Sequence, residues 1–103
     1  MQIQTFLLFI ASILVLVVSL PLVFKFVPPN RRYGFRTATT LSRTDIWYRS
    51  NVFAGVALVV ASGLSAIIIL FVPQLSVLAH AAILIGSLLV AVVASVVYVK
   101  RIA

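Results

Sequence analysis

The chain has 103 residues, 64% hydrophobic and 9% charged, with one acid, eight Lys or Arg, no cysteine and a mean hydropathy of +1.30. A water-soluble domain of this size covers itself with polar side chains, so the composition excludes one, and the lack of cysteine excludes disulfides and thiolate metal sites. The net charge of +7 would suggest nucleic acid in a soluble protein, but here the basic residues flank apolar segments, which argues for membrane orientation and no nucleic-acid partner.

No charged side chain lies between Met1 and Phe24, and none between Ser50 and Val99. A hydrocarbon core of about 30 Å takes roughly 20 helical residues to cross. The first stretch gives one crossing and the second gives two joined by a tight turn. The expected fold is therefore an all-α membrane protein with three transmembrane helices, one domain over residues 1–103. The first helix is expected over about 3–26. Met1 to Thr5 carries no basic residue and the apolar run reaches Val27, so it reads as a retained helix rather than a cleaved signal peptide. Pro21 should bend its end, Lys25 should extend its ammonium to the headgroups, and Pro28 and Pro29 should stop it.

Residues 28–42 form the long polar stretch, in which Gly34 permits a turn or a close approach. The second helix is expected over about 43–72. Ser42 and Asp45 read as a capping box, and Ile46, Trp47 and Tyr48 as interfacial residues. Val72-Pro73-Gln74 makes the turn to a third helix over about 75–99, with Tyr98 near the interface and Lys100 and Arg101 beyond. Lys25, Arg31, Arg32, Arg36, Arg43 and Arg49 belong to the first connection, and three crossings put them on the same side as Lys100 and Arg101. Excess Lys and Arg marks the cytoplasmic side. The expected protein is multi-pass in the plasma or bacterial inner membrane, with the N-terminus outside and the C-terminus and Arg-rich loop inside. Ala57, Ala61 and Ser65 on the second helix, and Ala82 with Gly86 on the third, repeat small residues every four positions. That spacing suits close helix packing, within the bundle or in a homo-oligomer.

Residues for catalysis are few. Asp45 reads as a helix-start acid paired with Arg49, with proton carriage the alternative. His80 is an ionisable residue inside the membrane, either functional or neutral and bonded to a neighbouring helix. Asn51 reads as a buried amide tying the loop to the helix end. These residues give no nucleophile with its base and no metal cluster, so no enzyme, cofactor or metal is expected. The loop cations are mostly Arg, interleaved with Tyr33, Phe35, Trp47 and Tyr48. A guanidinium fork suits recognition of an anion or a partner, beyond simple attraction to anionic headgroups.

Residues 28 to 55, P-P-N-R-R-Y-G-F-R-T-A-T-T-L-S-R-T-D-I-W-Y-R-S-N-V-F-A-G, resemble the signature of the SdpI family. The matching positions are Asn30, Arg31, Tyr33, Gly34, Arg36, Thr37, Thr40, Trp47, Asn51 and Gly55. The resemblance implies a membrane protein of the immunity type, protecting a cell from a secreted sporulation-delay toxin. It also implies a signal transducer that holds a repressor at the membrane, a role known from a longer member with extra helices upstream. The expected function is binding of a toxin peptide or a protein partner through the basic loop. An accessory subunit of a membrane complex, or a small transporter acting as an oligomer, is the alternative.

Overall fold

A computed structural model describes residues 2–28, 34 and 43–102. They form three helices: α1 (Ile3–Val23), α2 (Thr44–Phe71) and α3 (Val77–Ile102), all long and apolar enough to span a membrane. Their order is up, down, up. Both α1 and α3 pack along α2 and touch each other little. The outward faces are apolar, as at Leu14, Val60, Leu64 and Val93, where lipid replaces water as solvent.

The interior mixes small and polar residues with a few large apolar ones, Ile46, Trp47 and Ile69 among them. Thr5, Ser12 and Ser19 recur every seven positions on α1 and are all buried. Each hydroxyl in hydrocarbon must find an acceptor. Ser12 donates to the Leu8 carbonyl (3.0 Å) and lies 3.2 Å from the Ser65 hydroxyl of α2, while Ser19 donates to the Val15 carbonyl (2.7 Å). Small side chains let the backbones approach where lipid gives no hydrophobic drive to associate. The tightest approach is at Gly55. A Cβ there would stand 3.0 Å from the Leu22 Cβ, the Val23 Cγ2 and the Val23 backbone nitrogen.

The helix ends differ from the sequence expectation in instructive ways. α1 stops at Val23, before the proline pair, because the chain turns left-handed at Lys25 (φ 61°). Phe26 N–H then donates to the Pro21 carbonyl and Lys25 N–H to the Leu22 carbonyl, the double closure of a Schellman motif. Pro21 thus sits in the final turn. α2 begins at Thr44 with Arg43 at its cap position and no side-chain cap bond, so the Ser42–Asp45 capping box is not the observed start. Asp45 pairs with Arg43 (2.8 Å) rather than with Arg49 as expected, and both partners are more than half exposed. Ser76 caps α3 by accepting from Ala79 N–H (3.1 Å), and Lys100 and Arg101 lie within its last turn, where cations offset the dipole. Phe53 of α2 stacks on Tyr98 of α3, centroids 4.3 Å apart.

Of the small-residue repeats, Ala61 and Ser65 are buried against neighbours. Ala82 is exposed, and a Cβ on Gly86 would meet nothing within 4 Å, so that stripe does not pack inside the bundle. Gly55→Leu should therefore destabilise the protein by about 1–3 kcal/mol, whereas Gly86→Ala should leave it unchanged or slightly more stable. Reversible unfolding in mixed detergent micelles measures both.

Candidate functional site

The described signature residues, Gly34, Trp47, Asn51 and Gly55, lie toward the end of the bundle that carries Lys25, Arg49, Lys100 and Arg101, the basic end. Trp47, in the first turn of α2, has no exposed surface, and Ile46 beside it is equally enclosed. Both side chains are thus enclosed by the protein rather than exposed around it. A buried indole N–H needs an acceptor. The chain leaving α1 supplies it: Trp47 Nε1–H donates to the Val27 carbonyl at 2.9 Å. One turn on, the Asn51 amide is buried and its Nδ2–H donates to the Trp47 carbonyl at 2.9 Å.

Gly34, midway along the connection, rests on this pair. Its φ of 106° is a conformation that L side chains rarely adopt. A Cβ on it would stand 2.8 Å from Asn51 Oδ1 and 3.2 and 3.3 Å from Trp47 Cζ2 and Cη2. Glycine is thus required twice, by the backbone angle and by the contact. Trp47, Asn51 and Gly55 follow each other at four-residue intervals along α2, so one stripe holds the exit of α1, the loop glycine and the α1 helix itself. Ser50, adjacent, is buried with its hydroxyl lacking a partner among the described residues.

Among the sequence candidates, the structure brings together Gly34, Trp47, Asn51 and Gly55. Asn30, Arg31, Tyr33, Arg36, Thr37 and Thr40 lie outside the described residues, as does Ser42. Asp45 and Arg49 are exposed at the basic end. His80 stands apart, in the first turn of α3 at the opposite, hairpin end. It is 1% exposed, and neither ring nitrogen has a hydrogen-bond partner among the described residues. Of the two readings of His80, the bond to a neighbouring helix is not found among them. By helix rise, roughly 35 Å separates it from Asp45, so the chain's one acid and one imidazole form no direct pair within a protomer.

The model of the SdpI/YfhL protein family matches residues 26–99, from the exit of α1 through nearly all of α3. This chain belongs to the SdpI/YfhL family. With three apolar helices it is a multi-pass membrane protein of that family. Comparison with curated proteins and with solved structures gives no match. The family match spans every element that builds the Trp47–Gly34 seat.

Two features escaped the sequence reading. The Thr5–Ser12–Ser19 stripe was legible as a seven-residue spacing of hydroxyls in an otherwise apolar helix. The acceptor at Val27 was not, because a backbone carbonyl carries no sequence signal. Trp47→Phe keeps most of the ring but leaves the Val27 carbonyl unpaired, and should cost about 1–3 kcal/mol in detergent unfolding. His80→Leu should cost nothing or stabilise, since it removes two buried nitrogens that have no partner among the described residues.

Proposed function

We propose that the protein is an immunity-type membrane protein whose basic loop, on the cytoplasmic side of the cell membrane, binds a membrane-active peptide or a protein partner. The observation that carries this reading is the seat of Gly34 on Trp47 and Asn51. A loop that only marked topology would need no glycine at a left-handed angle wedged against a buried indole and amide. Family membership supports the immunity class. The surplus of cations at the same end supports both the orientation and attraction to anionic headgroups. In this reading the protein is a recognition module rather than an enzyme: the helices supply a rigid base, and the arginines of the loop, Arg31 and Arg36 among them, supply forks for carboxylates of a partner.

A second reading has its own support. The Ala82–Gly86 face of α3 is open, and small residues at that spacing suit helix association in lipid. An accessory subunit of a membrane complex, or an oligomeric small transporter, would use it. A defined oligomer or co-purifying partner in gentle detergent supports that reading, and a clean monomer removes it.

Deleting the encoding gene and challenging cells with cognate membrane-active peptides tests the first reading; unchanged sensitivity to all of them contradicts it. In complemented cells, Arg36→Ala and Trp47→Ala should reduce protection about tenfold or more, the scale of one lost charge-assisted contact. Arg101→Ala should leave protection near the parent level. Immunoblots of the membrane fraction separate loss of recognition from loss of protein.

A further inference from the structure

Because α1 and α3 lean on α2 rather than on each other, a crevice of about 250 Å³ runs between them in the half of the bundle nearer the basic end. Its floor is Ala54 and Ala91, both buried, and Gly34 closes it toward the connection. At the mouth stand Val18 of α1 and Val92 of α3, each about half exposed, so the opening faces the surrounding lipid rather than either aqueous end. Two hydroxyls line it, yet neither offers a free proton. Ser19 donates to the Val15 carbonyl (2.7 Å) and Ser95 to the Ala91 carbonyl (2.8 Å). Among the described residues an occupant therefore meets apolar and internally satisfied surface, which suits a hydrocarbon chain and not a polar ligand.

Charge defines the other half of that occupant. Lys25 follows α1 three residues after Leu22 of the crevice wall, and Lys100 and Arg101 follow Ser95 by five and six residues. Helix rise puts Lys100 and Arg101 about 7.5–9 Å farther along the axis than Ser95, and Lys25 stands two residues past the end of α1. All three are exposed, and none makes an ion pair among the described residues, because Arg43 holds the single carboxylate. A lateral apolar slot ending at unneutralised cations matches a molecule with one acyl chain to insert and an anionic group at its end.

We propose that the α1–α3 crevice is a binding site for one anionic phospholipid, its acyl chain against Ala54 and Ala91 and its phosphate among Lys25, Lys100 and Arg101. The lipid would lie under Gly34. The site requires only a membrane-embedded bundle and stands or falls independently of what the loop binds.

The test is native mass spectrometry of the whole protein released from nanodiscs of phosphatidylcholine containing a minor fraction of phosphatidylglycerol. One phosphatidylglycerol retained per chain, in preference to phosphatidylcholine, is expected. Ala54→Leu should abolish retention by filling the crevice. Lys25→Gln, Lys100→Gln and Arg101→Gln combined, all at exposed positions, should lower the preference about tenfold or more while circular dichroism stays unchanged. Equal retention of both lipids, or unchanged retention in both variants, overturns the proposal. Displacement of the lipid by free glycerol phosphate also overturns it, since the site would then bind the headgroup without the chain.

Discussion

Trp47 gives its indole N–H to the carbonyl of Val27 at 2.9 Å, across the junction where one membrane helix has ended and the next is beginning. Both groups are polar and the ring is wholly enclosed, so each would be left without a partner if the other moved. The bond fixes where the chain leaving α1 passes over the first turn of α2. From that point the Gly34 contact, the Asn51 amide and the Gly55 crossing follow along one stripe of α2. At Gly34 the connection is in this sense part of the bundle.

Packing inside the membrane rests on a different constraint. Lipid chains are as apolar as leucine, so nothing drives large apolar side chains inward. The chain accordingly turns Leu14, Val60 and Val93 outward and buries serine, threonine and alanine, which bring backbones close and satisfy their hydroxyls on carbonyls of their own helix. The same economy leaves α1 and α3 apart, which creates the lateral crevice. Among the described residues Ser50 and His80 are the exceptions to polar satisfaction, and His80 leaves two nitrogens without a partner. Native proteins hold few such groups, and this one sits where the sequence places the only imidazole of the chain.

Much of this was legible in the residues. Charge-free stretches of known length give the three crossings, and the signature string singles out Gly34, Trp47, Asn51 and Gly55 before any geometry is known. Other points were not legible, for physical reasons. Trp47 near a membrane surface reads as a belt residue because the indole is amphipathic; only the fold reveals that its polar atom faces a backbone carbonyl. The first helix is expected to reach about residue 26, because Pro28 disfavours helical geometry in the residue before it, yet a left-handed lysine ends it at Val23, a conformation that sequence signals attribute to glycine. Asp45 has arginines at two reachable positions, and spacing alone does not choose between them. Ala82 and Gly86 repeat correctly for packing but point away from the bundle, since periodicity gives a face and not its direction.

The central claim, that Gly34 is seated on Trp47 and Asn51 of α2, predicts energetic coupling between Gly34 and Asn51. A double-mutant cycle with Gly34→Ala and Asn51→Ala, read by reversible unfolding in mixed micelles, measures it directly. The account predicts a coupling of about 0.5–3 kcal/mol, because shortening Asn51 removes the atom that a Cβ at position 34 would strike. Strict additivity of the two changes would mean that Gly34 does not rest on Asn51 in the membrane, and would contradict it.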